Sequence, residues 1–181
     1  ASLGSQVTVI EALDRICAGA DPDLARVLET KLKKQFAAIM TGTKLESGKP
    51  VKGGVEITYS KDGKSQSALF EKVLVSVGRQ PNSDNIGIEH TKVVVNARGF
   101  IEIDNQRRTA DKKIFAIGDV AGDPMLAHKA SREGIVAAEV IAGHVTVTYD
   151  VKAIPAAVYT SPELAWCGLT EADAREKGRE I

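Results

Sequence analysis

Ile114-Phe115-Ala116-Ile117 is an apolar run of strand length that Gly118-Asp119 cuts off, and a helical pattern begins about ten residues later. The same order opens the chain. Gln6 to Ile10 reads as a buried strand ending on Glu11, and Asp21-Pro22-Asp23 then starts a helix. That start has an Asp N-cap, a proline at the first helical position and an acid in the first turn. Strands that alternate with helices restrict the chain to an α/β architecture built from βαβ units.

A chain of 181 residues has room for one domain or two small ones, with a real core in either case. Its 24 Lys+Arg balance 24 Asp+Glu without long like-charged runs, which argues against a nucleic-acid surface or a polybasic membrane patch. The apolar stretch Ile135 to Ala142 is broken by Glu139 and falls well short of the roughly 20 residues that span a bilayer. Cys17 and Cys167 are too far apart in sequence to suggest a disulfide framework or a zinc-ligand cluster. Both read as small buried residues.

Leu24, Val27, Leu28, Leu32, Phe36 and Ile39 form one apolar stripe at helical spacing, which predicts a helix running to Gly42. Short strands are expected at Thr43 to Leu45, Gly54 to Ser60 and Ser67 to Phe70, the last two joined by a turn at Lys61-Asp62-Gly63-Lys64. Val73 to Val77 and Phe100 to Ile103 read as further strands, the first of them buried. Lys129 to Ala142 reads as a helix closed by Gly143. After Tyr149-Asp150 the character changes. A strand at Ala156 to Tyr159 and a short helix at Thr170 to Lys177, with Thr170 and Asp173 as a capping box, suggest a new domain. His90 and His144 fall in polar loops and read as solvated surface.

The opening residues point to an internal piece of a longer protein. Ala1-Ser2-Leu3-Gly4 resembles the capped tail of a helix, and the strand ending on Glu11 fits the second strand of a dinucleotide-binding βαβ unit. The Gly-rich turn of such a unit belongs about 20 residues earlier. No two of the sixteen glycines are separated by a single residue, so GxGxxG is absent from this chain.

Gly118-Asp119 carries the clearest chemical signal. Glycine permits close backbone approach to a ligand, and the carboxylate is a fixed acceptor for a sugar-like hydroxyl. Gly122-Asp123-Pro124-Met125-Leu126-Ala127-His128 then runs into the helix, whose first N–H groups suit a carbonyl or an anionic atom. Taken singly, Gly-Asp could be an ordinary turn, Met125 and Leu126 plain core, and His128 a structural histidine.

Together these pieces resemble the pyridine nucleotide–disulfide oxidoreductases. The matching segments are Gln6 to Glu11, Gly19-Ala20-Asp21, Val77-Gly78-Arg79-Gln80-Pro81-Asn82, Gly99-Phe100-Ile101, Ile114 to Val120 and Pro124 to Lys129. Pro155…Tyr159-Thr160…Pro162-Glu163…Trp166…Gly168-Leu169-Thr170 completes the series in family order. Met-Leu-Ala-His at the helix entrance resembles the lipoamide branch rather than the glutathione or mercuric reductases.

The resemblance implies FAD and NAD as cofactors. It implies the later part of a Rossmann-like NAD domain over 1–77, part of an FAD domain over 78–149 and the start of an α+β dimerisation domain over 150–181. Asp119 would hold the ribityl chain of FAD, and Met125, Leu126, Ala127 and His128 would lie beside the flavin ring. Glu11 would bind the adenosine ribose of NAD, Leu45 would pack near its adenine, and Gly78 would admit the nicotinamide half. The family's CxxxxC redox pair and late His-Glu pair are absent here, so no catalytic residue is expected in this chain and the isolated piece is expected to be inactive. The parent would be a homodimeric enzyme of the cytoplasm, or of the mitochondrial matrix in a eukaryote. It would take electrons from dihydrolipoamide on the lipoyl domain of an acyltransferase in a 2-oxoacid dehydrogenase complex. No metal, nucleic-acid or membrane partner is implied. Another member of the superfamily, such as a mercuric reductase or a transhydrogenase, and a non-catalytic nucleotide-binding module are the alternatives.

Overall fold

Thr8–Ile10 (β1) runs parallel to Ala38–Met40 (β2) with Val9 opposite Ile39, and the helix Pro22–Leu32 (α1) makes the crossover between them. The pairing puts Ile39 in a strand, where the apolar stripe predicts helix as far as Gly42. The helix stops at Leu32, and Ala38-Ile39-Met40 gains a ladder with β1 in place of further helix.

The computed structural model describes residues 1–181, which divide into a unit of Ala1–Val75 with Pro155–Ile181 and a unit of Ser76–Ile154. In the first unit Leu28 of α1 is almost wholly buried against Ile16 and Leu164, with Leu24, Leu32, Ile39 and Val158 around them. Leu164 comes from Leu164–Trp166 (β7), which pairs antiparallel with Ala156–Val158 (β6). Between β2 and β6 in the chain lies a three-stranded antiparallel meander, Lys44–Val51 (β3), Gly54–Lys61 (β4) and Lys64–Phe70 (β5). Asp62 and Gly63 turn the last hairpin with φ of 51° and 74°, the left-handed pair that suits a two-residue loop. A Cβ at Gly54 would stand 2.1 Å from the Phe70 carbonyl oxygen, so only glycine fits where β4 meets the end of β5.

Asp21 holds the N-cap position of α1 in extended conformation, but its carboxylate does not cap that helix. It accepts the Glu171 N–H at 2.8 Å, from the first residue of the helix Glu171–Glu176 (α3). Thr170 and Asp173 form the expected capping box of α3, with both reciprocal bonds at 3.1 Å. The Thr170 hydroxyl and N–H hold the Asp173 carboxyl below its ordinary range. Its stabilising contribution is therefore present above the ordinary carboxylate range and is lost as pH falls through the lowered value. Thr170→Ala is expected to cost about 1 kcal/mol, read as a lower urea midpoint, and to weaken that acid-side dependence, since the backbone N–H at 170 still donates to Asp173. An unchanged midpoint at neutral pH would contradict it.

The second unit has little regular structure beyond the helix Ala127–Ile141 (α2), which buries Val136, Ala137 and Val140. Phe100, Ile101 and Ala116 complete its core. Two expected strands reduce to single bridges, Val95 with Ile101 and Arg108 with Phe115, and the Ile101 N–H bonds the Val120 carbonyl at 2.9 Å. Gly118–Ala121 forms one turn of 3-10 helix against α2. Val73 to Val77, expected to be a buried strand, pairs with nothing and is exposed, Leu74 by 89% and Val77 by 86%. Ala1 to Gly4 is a turn rather than a helix end. No helix is long and apolar enough to cross a membrane.

Candidate functional site

The 3-10 turn Gly118–Ala121 and the start of α2 bring five of the sequence-predicted residues to one face of the second unit. Gly118 turns the chain with φ of +76°, and a Cβ there would press on Ala130 of α2 at 3.2 Å. Asp119 follows at the turn's surface, its side chain 41% exposed, and accepts a hydrogen bond from Arg79 Nη1 at 2.8 Å. An exposed pair of this kind contributes about 0–1 kcal/mol, so it leaves the carboxylate able to exchange Arg79 for another donor.

Arg79 and Met125 line one open groove with Ser83, Arg98, Phe100 and Asp123. Arg98 stacks over the Phe100 ring at 4.9 Å and pairs with Asp123 at 2.6 Å. Met125 and Leu126 are half-buried, while Ala127 and His128 are exposed on the first turn of α2. That turn carries no acidic residue and its N-cap, Leu126, supplies no side-chain bond. The leading N–H groups of α2 carry the partial positive charge of a helix N-terminus.

Behind this face sits a charged cluster that the sequence reading did not identify. Glu133 of α2 is fully buried. It accepts Arg107 Nη1 at 2.9 Å, pairs with Lys129 Nζ at 3.1 Å and accepts the Gly118 N–H at 2.6 Å. Lys129, also buried, donates to the carbonyls of Gly118 at 3.3 Å and Gly122 at 2.9 Å. Arg107 stacks on the Tyr149 ring at 4.5 Å, and burial raises the Tyr149 hydroxyl above its ordinary pKa. The only sequence signal for this cluster is the i,i+4 spacing of Lys129 and Glu133, which on its face is an ordinary solvated helix pair.

In the first unit Glu11 stands at the carboxyl end of β1, the end where parallel sheets bind ligands. Its N–H bonds the Met40 carbonyl, its carbonyl accepts the Thr43 N–H, and its carboxylate accepts the Leu13 N–H at 2.9 Å. Thr43 leads directly into β3, where Leu45 is 45% exposed. Gly78, in the second unit, is exposed with φ of +116° and open space where a Cβ would lie. Cys17 is half-buried, and Cys167, expected to be buried, is exposed because it leaves β7 just before the Gly168 turn. Burial and the nearby Glu11 raise the Cys17 thiol above its ordinary pKa, which opposes thiolate formation.

The model of the pyridine nucleotide-disulphide oxidoreductase family matches residues 1–134, and that of its dimerisation domain matches residues 154–181. A dihydrolipoyl dehydrogenase of Geobacillus stearothermophilus is 40% identical over 181 residues, covering 100% of this chain and 38% of that protein. One from Haloferax volcanii is 43% identical over 180 residues, covering 98% of this chain and 38% of its own length. The chain thus spans about two-fifths of the curated relatives that it matches. Among solved structures, the HOCl-induced flavoprotein disulfide reductase RclA of Escherichia coli superposes with a TM-score of 0.84 at 26% identity, covering 98% of this chain and 40% of that one. LpdA of Mycobacterium tuberculosis gives 0.83 at 26% identity, covering 97% and 38%. The mixed α/β fold is that of flavoprotein disulfide reductases, and the chain belongs to the pyridine nucleotide-disulphide oxidoreductase family.

Proposed function

We propose that these residues form part of a dihydrolipoyl dehydrogenase, a homodimeric flavoenzyme that oxidises the dihydrolipoyl groups of an acyltransferase and reduces NAD. The observation that carries this reading is the Asp119 turn lying just before the start of α2. It occurs in a chain 40% identical throughout to a dihydrolipoyl dehydrogenase, against 26% to the flavoprotein reductase RclA. Residues 1–77 then belong to a Rossmann-like NAD domain, for which the parallel β1–α1–β2 unit speaks. Residues 78–149 belong to the FAD domain and 150–181 to the dimerisation domain. We place the enzyme in the cytoplasm, or in the mitochondrial matrix of a eukaryote.

The residues present suit a flavin nucleotide. A half-exposed carboxylate on a positive-φ glycine turn can accept a ribityl hydroxyl, and the first α2 N–H groups can donate to a ring carbonyl. Met125, Leu126, Ala127 and His128 supply the surface beside the ring. Bound flavin supplies the two-electron relay between a dithiol and a nicotinamide. Glu11 accepts the ribose hydroxyls of NAD, Leu45 packs near the adenine and Gly78 lets the backbone come close to the nicotinamide half. The proton relay and the redox dithiol lie outside these residues.

Two substitutions in the full-length protein test the assignments. Asp119→Ala removes a charge-assisted hydrogen bond worth about 1.5–3 kcal/mol, so FAD should bind about 10- to 100-fold more weakly and the purified protein should lose most of its yellow colour. Full flavin occupancy with the parental dissociation constant would return Asp119 to an ordinary turn residue. The second test concerns Glu11. A 2′-phosphate about 4 Å from its carboxylate is repelled by roughly 4 kcal/mol at an effective dielectric of about 20, and solvent screening lowers this. NAD should therefore exceed NADP in kcat/KM by on the order of tenfold or more, and Glu11→Ala should narrow the gap. Equal efficiency with both coenzymes before mutation would sink the assignment.

A further inference from the structure

We infer that the buried Arg107–Glu133–Lys129 cluster is a positioning device for the flavin site, acting on Asp119 through the backbone of Gly118 and Gly122. The inference rests on the assignment of Asp119 to the flavin. Its geometry is that of a clamp on both sides of one turn. Glu133 takes the Gly118 N–H at 2.6 Å, while Lys129 takes the Gly118 and Gly122 carbonyls that bracket Asp119. The turn's own backbone bonds would not set this orientation, because a single turn of 3-10 helix is weakly held.

A cluster that served stability alone would be a poor choice. Burying three charges carries a desolvation cost that well-packed apolar side chains avoid, so a buried ion pair is weak evidence for stability. Here every polar contact of the Glu133 carboxylate with backbone goes to the turn that presents Asp119. Arg107 adds a second sign of placement over comfort. It holds φ of +66°, a left-handed conformation rare for a long side chain, and is anchored there by Glu133 and by the Tyr149 ring. The Ala116 N–H bonds the Arg107 carbonyl at 3.1 Å, so the segment leading into Gly118 is registered on that same residue.

The test separates positioning from stability in the full-length protein. Arg107→Met, Lys129→Met and Glu133→Leu together remove all three charges while keeping apolar bulk, and the combined variant should melt within a few degrees of the parent. If the cluster positions Asp119, this folded variant binds FAD about tenfold or more weakly, and the visible circular dichroism of its bound flavin changes. Adding Asp119→Asn to it then weakens FAD by less than about twofold, since both changes act through one carboxylate. Should the triple variant fail to fold, Glu133→Gln takes its place, with the same loss of FAD affinity and the same non-additivity with Asp119→Asn expected. Parental FAD affinity and an unaltered flavin spectrum in the folded variant, with Asp119→Asn alone still weakening FAD, overturn the positioning role and leave the site assignment standing. An Asp119→Asn variant that binds FAD like the parent overturns both.

Discussion

A polypeptide of these 181 residues, mixed with FAD, dihydrolipoamide and NAD, is expected to form no NADH above the rate of free flavin alone. Two physical requirements are missing from it. It contains no GxGxxG turn to receive a pyrophosphate at a helix N-terminus, so its Asp119, Glu11 and α2 contacts must offset the lost freedom of a dinucleotide unaided. That cost is on the order of 4–15 kcal/mol, against about 1.5–3 kcal/mol for each charge-assisted bond. It also has no dithiol. Cys17 and Cys167 are free, and burial beside Glu11 keeps the Cys17 thiol protonated. The same preparation should self-associate through the exposed Leu74, Val75 and Val77, which light scattering would register. Turnover above the flavin blank would show that the chemistry resides in residues assigned here to binding or structure.

Glu133→Ala is expected to destabilise the second unit by about 3–5 kcal/mol, the usual cost of leaving buried charges without their partner. The side chains of Lys129 and Arg107 are 4% and 11% exposed, so neither can recover its solvation without opening α2. The Gly118 N–H loses its acceptor at the same time. A native domain has only about 5–15 kcal/mol of stability in all, so the loss approaches unfolding of the unit. Amide hydrogen exchange on peptides of residues 103–142 would read it directly. Protection within a few tenths of a kcal/mol of the parent would mean that the cluster is solvated and its burial incidental.

The local signals in the sequence were strongest where a residue's neighbours in the chain decide its conformation. Asp21-Pro22-Asp23 marked the start of α1, Asp62-Gly63 the hairpin, and Thr170 with Asp173 the α3 cap, all within a few residues. Ile39 was misread because its competitor for the helix was a strand some 30 residues away. Val73 to Val77 differs for the converse reason: a largely apolar run makes a strand only if another strand accepts its hydrogen bonds. The family was legible through the order of its segments along the chain, Gly118-Asp119 and Met125 to His128 among them. The Arg107–Glu133–Lys129 cluster was not, since burial turns an ordinary Lys–Glu helix spacing into a tertiary link and nothing in residue identity announces burial.

The unit that holds β1 and α1 is completed only by residues 155–181, and the bond from Glu171 to Asp21 spans 150 positions. Closing a loop of that length costs about 4 kcal/mol of chain entropy beyond a constant. On a ribosome, Leu28 must therefore wait for Leu164 to emerge before its core exists, whereas residues 76–154 are contiguous and have their partners as soon as they are made. Among these residues, synthesis thus lets positions 76–154 fold before the unit that β1 and α1 open, and leaves the apolar face of α1 to nascent-chain chaperones in the interval.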